Sequence, residues 1–179
     1  LKLARPDSAL THFRWVLNSD TTFADLKPDT LSEGQVLDIV FIILMAGRNN
    51  EDGIVVGERL LDLEPANGGF ANNLAMAYAD ADRNLDRALT LAQKARAATP
   101  NDGGVLDTYG WVLAKLGRHE EARRALLKAV DLTLKSPHPD ASEIYFHLGF
   151  LMAAMHRDKE AVSWARKSLE HPTNPLVEE

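Results

Sequence analysis

The chain contains no cysteine. That excludes disulfides, thiolate metal sites and cysteine nucleophiles. It also lacks a long apolar run. The most apolar stretch, Val36 to Ala46, is 11 residues and carries Asp38. A membrane-spanning helix needs about 20 apolar residues, so this stretch reads as a buried helix and no direct membrane insertion is expected. Basic excess is absent too: 20 Lys and Arg face 26 Asp and Glu, for a net charge of -6. Proteins that grip a phosphate backbone carry a basic patch, so nucleic acid is not an expected partner. Nor do the motifs of catalysis occur. There is no HExxH, GxxxxGK[ST], GxSxG or GxGxxG. The histidines His12, His119, His138, His147, His156 and His171 contain no pair at i+3 or i+4. They are expected at solvent or turn positions, with no metal and no cofactor. His156-Arg157-Asp158 matches a kinase catalytic loop in letters alone and falls in a turn between helices.

What is present is a period. Prolines 28, 65, 100, 137 and 172 stand 37, 35, 37 and 35 residues apart. A second marker agrees. Arg48, Arg83, Arg118 and Arg157, each ending a short turn-like piece such as Leu116-Gly117-Arg118, stand 35, 35 and 39 apart. Two unrelated markers with one period indicate an internal repeat. Each period holds two apolar stretches at helical spacing. Leu106, Tyr109, Gly110 and Leu113 lie at i, i+3, i+4 and i+7, and Ala122, Leu126, Ala129 and Val130 repeat the pattern after Gly117. Glycine there suits the left-handed residue that ends a helix. Strict apolar–polar alternation is missing, so an all-α chain is expected. About nine to ten helices fit the length.

These residues resemble the tetratricopeptide repeat, a family of helical hairpins about 34 residues long. The strongest unit is Leu106, Tyr109-Gly110, Leu113, Gly117, Ala122, Leu126 and Ala129. The next has Tyr145, Leu148-Gly149, Met152 and Ala161; the preceding one has Leu74-Ala75, Tyr78, Ala88, Ala95 and Pro100, with an extra turn residue near Asp82. Leu37, Val40-Phe41, Leu44, Gly53, Gly57 and Pro65 form a degenerate unit. The resemblance implies an α-solenoid, a right-handed superhelix of stacked hairpins forming one domain over 1–179. Its units would be 34–67, 68–102, 103–141 and 142–173, after a truncated half repeat at 8–21 marked by Ala9, Phe13 and Val16. Ser32 with Gln35 makes a capping box. Gly53 and Gly57 read as close packing within a hairpin. Two places break the rhythm: a long loop at 19–32 and about five extra residues between Leu134 and Ser142, enough to lengthen a helix by a turn.

The family binds partner segments on the concave face lined by its first helices. Carried over residue by residue, the peptide-binding candidates are Asp38, Asn72, Asn73, Asp107, Trp111, Phe146, His147 and Phe150, with Ile42, Met45, Met76, Thr108 and Glu143 beside them. Asn can donate to and accept from an extended peptide backbone, and the aromatics can serve as anchors. The alternative for Trp111 and Phe150 is packing against the next hairpin. The family's carboxylate clamp for chaperone tails does not fit: only Asn73 matches, and Asp38, Gly104 and Thr108 stand where cations are needed. An acidic, apolar groove favours a neutral or basic partner with large apolar side chains. The chain also resembles repeats of large bacterial scaffold proteins, several of which serve cell-envelope or polysaccharide systems. It starts at Leu1 without Met, so we expect a segment of a larger protein, and both cytoplasm and periplasm stay open. The expected function is a non-enzymatic protein-binding scaffold. Alternatives are a regulatory or spacer region of a multidomain enzyme, and self-association through the ends of the array, where a cut solenoid leaves an apolar face.

Overall fold

A computed structural model describes residues 32–137 and 139–170. The proposed half repeat at 8–21 and nearly all of the long loop lie outside them. The described residues form eight helices and no strand: α1 Glu33–Ala46, α2 Asn50–Leu63, α3 Gly68–Asp80, α4 Leu85–Ala98, α5 Gly103–Lys115, α6 His119–Leu134, α7 Ser142–Ala154 and α8 Asp158–Glu170.

Local chemistry sets the helix ends. Ser32 and Gln35 form the expected capping box, with the Ser32 amide donating to Gln35 Oε1 at 2.8 Å. Asn49, Asn67 and Asp102 accept first-turn amides of α2, α3 and α5. These bonds satisfy donors that have no partner inside the helix. Pro65, Pro100 and Pro137 follow the ends of α2, α4 and α6 by two or three residues.

The four hairpin turns share one device. An amide beyond the helix reaches back to a carbonyl in its last turn: Asn49 to Leu44, Arg83 to Tyr78, Arg118 to Leu113 and Arg157 to Met152, at 2.8–2.9 Å. This closure needs one left-handed residue. Gly117 fills that position with φ +73°, as its sequence context implied. Asp82 and His156 do so without being glycine, at φ 54° and 57°. In the first hairpin the repeat marker is misleading. Gly47 has φ −79°, and Arg48 takes the left-handed place at φ 54°. The helix runs one residue further before it reverses. The extra residue near Asp82 is accommodated by Asn84, also left-handed at φ 41°.

Each odd-numbered helix packs on the next even one, and each hairpin stacks on its successor through α2–α3, α4–α5 and α6–α7. Small residues permit the close approach. A Cβ on Gly110 would come within 2.7 Å of Leu126 Cγ and 3.2 Å of its backbone nitrogen. On Gly57 it would meet Leu74 Cδ1 at 2.9 Å and Phe41 Cε2 at 3.0 Å, and on Gly53 it would meet Met45 Sδ at 2.8 Å. Both positions of that pair are therefore packing contacts. A single core runs from Leu61 to Met152, and a smaller one around Leu37, Phe41, Val56 and Leu60 fills the first hairpin. The insertion before the last hairpin is absorbed in two ways. α6 reaches 16 residues against 14 for α2 and α4, and an irregular stretch leads into α7.

Candidate functional site: the inner face of the first helices

Helix contacts define an inner face. The first helices of successive hairpins touch one another, α3 with α5 and α5 with α7, whereas α4 and α6 make no comparable contact. From α3 on, the odd helices therefore form the closer, inner layer; α1 and α3 make no comparable contact. All eight sequence candidates lie on odd helices: Asp38 on α1, Asn72 and Asn73 on α3, Asp107 and Trp111 on α5, Phe146, His147 and Phe150 on α7.

Five of the eight come together. The Trp111 indole stacks on the His147 imidazole at 4.3 Å between centroids and 16° between planes. Phe150 meets the indole edge-on at 4.9 Å, and Phe146 lies tilted to it at 6.4 Å. His147 Nδ1 lies 2.8 Å from Asp107 Oδ1. A carboxylate can only accept, so the ring nitrogen donates. Both side chains are nearly inaccessible, at 3% and 5%. Burying polar groups is costly unless they are paired, and here each pairs with the other across two hairpins. The expectation of a solvent or turn position thus fails for His147. The histidine sits on the inner face of α7, where a ring can reach α5.

Two residues outside the sequence candidates complete the cluster. Trp111 Nε1 donates to Asp80 Oδ1 of α3 at 2.8 Å. Lys115, four residues after Trp111, holds its ammonium 5.4 Å from the indole and 5.7 Å from the Phe150 ring, and pairs with Asp82 at 3.4 Å. The i+4 spacing of Lys115 was a usable signal; that of Asp80, at the far end of another helix, was not. Asp80, Trp111, His147 and Asp107 thereby join three hairpins on one face. At the rim, the Glu143 carboxyl is pushed above the usual range. Desolvation is the main cause, opposed by His147 and reinforced by Asp107, Asp80 and Asp140.

Burial separates support from surface. Trp111 is only 5% exposed, whereas Phe146 is 56% and Phe150 42% exposed. The indole is the platform and the two phenyl rings are what solvent meets. Asn72 and Asn73 sit half-buried on α3, and the Asn72 carbonyl oxygen is buried with no hydrogen-bond partner. Asp38 stands apart, two repeats from the cluster, beside exposed Ile39, Ile42 and Ile43. Met76 packs against the main core, and Met45 against Gly53. Among the described residues no three His, Asp or Glu side chains are grouped to hold a metal, and no helix is long and apolar enough to cross a membrane.

Two tetratricopeptide repeat profiles match adjoining stretches of the chain, residues 42–103 and 104–173. Among curated proteins, type IV pilus assembly protein PilF of Pseudomonas aeruginosa is 28% identical over 68% of this chain. Human aspartyl/asparaginyl beta-hydroxylase is 30% identical over 60% of it. The chain spans 46% of the first protein and 14% of the second. Among solved structures, a thermophilic TPR protein of Thermus thermophilus superposes with a TM-score of 0.66 at 22% identity, covering 94% of this chain and 88% of that one. MamA of Desulfovibrio magneticus RS-1 gives 0.58 at 21% identity, over 77% and 75%.

Proposed function

The chain belongs to the tetratricopeptide repeat family, and from that premise we propose that it works by binding protein, without catalysis of its own. The inner face holds an extended partner segment. One observation carries the reading: Phe146 and Phe150 present large phenyl surface to solvent while fixed on a buried, hydrogen-bonded platform. Single exposed apolar residues are unremarkable. Two aromatics pre-set on a rigid base have little ordering entropy left to lose on binding. Asn72 and Asn73 lie on the neighbouring helix as backbone partners, and Ile39 and Ile42 offer a second apolar contact at the other end. Asp38, Asp80 and Glu143 outweigh Lys115 along this face, which favours a neutral or basic segment with bulky apolar side chains.

The test is selection of peptides on the immobilised chain, followed by titration of the best binder against variants. Phe146→Ala and Phe150→Ala are each expected to weaken binding by about 2 kcal/mol, roughly thirtyfold. Asn73→Ala weakens it less, and Lys128→Ala on α6 leaves it unchanged. Normal binding by both Phe variants would overturn the reading.

Similarity to a segment of a much longer hydroxylase supports a second setting, in which these repeats are a regulatory region of a larger enzyme. Similarity to a pilus assembly protein supports a bacterial assembly setting. Association through the exposed face of α8 is a further use. α8 buries no residue and leaves Val162 and Leu169 exposed.

A further inference from the structure

The seams between second helices, on the side opposite the groove, are built in two ways. Between α2 and α4 the seam is closed by charge. Glu58 accepts from two guanidinium nitrogens of Arg87 and from the Tyr78 hydroxyl at 2.6 Å. Between α4 and α6 there is instead a cavity of about 380 Å³, lined among others by Arg96, Leu106, Tyr109, Glu121, Arg124 and Lys128. Leu106 and Tyr109 lie on the face of α5 turned away from Asp107 and Trp111, so the cavity does not share the groove.

The cavity is unusual in its charge. Its carboxylate, Glu121, is already held by a two-point pair with Arg118 at 2.7 and 2.8 Å, and Arg124 attracts it only at longer range. The Arg96 guanidinium is held 4.2 Å over the Tyr109 ring, at the wall of the cavity. Among the described residues no carboxylate lies within ion-pair distance of Arg96, Arg124 or Lys128. Three cations from two helices thus line one space whose single carboxylate, Glu121, is already paired with Arg118, in a protein whose net charge is -6.

We propose that this cavity binds a small phosphate monoester with a flat apolar body. Two guanidiniums suit the tetrahedral oxyanion, which they meet with paired N–H donors. A carboxylate brings one negative charge, whereas a phosphate monoester brings about 1.5 to 2 at neutral pH, a better match to three cations. The apolar wall of Leu106 and Ala125 takes the body of the ligand. The volume falls within the range of small-molecule pockets, about 300–1,000 Å³.

The experiment is calorimetric titration of the chain with phenyl phosphate at low salt, with phenol and benzoate as comparison ligands. Saturable binding of phenyl phosphate is expected, with phenol and benzoate at least tenfold weaker. The double variant Arg124→Gln, Lys128→Gln should lose tenfold or more. Lys159→Gln with Arg166→Gln, the same charge change on α8, should lose less than threefold. Thermal melts of the same samples are expected to coincide, since all four side chains are exposed. The proposal is overturned if phenyl phosphate does not saturate, if benzoate or phenol binds as tightly, or if the two double variants lose equally. The last result would mean diffuse attraction rather than a site.

Discussion

The third and fourth hairpins spell the same motif, Tyr109-Gly110 in one and Leu148-Gly149 in the other, yet the two glycines live in different surroundings. Every residue of α5 from Val105 to Ala114 is buried. In α8, the last helix of the described residues, none is. A Cβ on Gly110 would collide with Leu126, whereas on Gly149 its nearest neighbours would be Ala161 O and Ala165 N, both at an ordinary 3.4 Å. The difference comes from position in the array. The third hairpin is squeezed by a described neighbour on each side, while the fourth has a described neighbour on one side alone. A repeat motif therefore specifies a contact without specifying how tight that contact is.

The most severe test of this contrast is to empty the centre. Trp111→Ala removes a buried indole together with its bond to Asp80, and should cost about 3–5 kcal/mol. Phe146→Ala on the exposed side should stay within about 0.5 kcal/mol. Urea unfolding of both variants measures the difference, and equal midpoints would mean that Trp111 is not the support its burial implies. For the same reason Phe146 and Phe150 are cleaner probes of binding than Trp111. Truncating Trp111 weakens the fold along with any contact.

A smaller effect should change sign between the two hairpins. Gly110→Ala is expected to cost about 1–3 kcal/mol through overpacking against Leu126. Gly149→Ala should instead be neutral or stabilising by up to about 1 kcal/mol, the helix propensity of alanine over glycine. Thermal denaturation distinguishes them; destabilisation of similar size at both sites would contradict the looser fourth hairpin.

The smallest expected change sits at the turns. Gly117 and His156 occupy the same left-handed position, which costs a non-glycine residue on the order of 1 kcal/mol. His156→Gly should stabilise by about that amount and Gly117→Ala should destabilise by about as much. The opposite pair of shifts in melting temperature would show that these turns are held by something other than backbone conformation.

Much of the architecture was legible because it is local. The capping box at Ser32, the left-handed Gly117 and the stop before Pro100 each depend on residues within a few positions. The Ala46-Gly47-Arg48 piece shows how far that goes. Its letters matched the other turns, but the left-handed residue is Arg48, because the length of α1 sets the turn register. The family resemblance assigned all eight candidates to first helices, and the structure has them on α1, α3, α5 and α7. Which of its residues face solvent was not legible.

The helices, their caps, the hairpin period and the small residues at helix contacts are written in the residues themselves. All of these follow from backbone hydrogen bonding and side-chain size over one or two turns. The division of the inner face is not: stacking of the hairpins made Trp111 and His147 the platform and left Phe146 and Phe150 as surface. The same stacking paired His147 with Asp107, 40 residues away, and Arg87 with Glu58, 29 away. It also left the next seam open and cationic. Such pairs depend on how far each hairpin rotates on its neighbour, and that rotation is set by the summed packing of many side chains rather than by any motif.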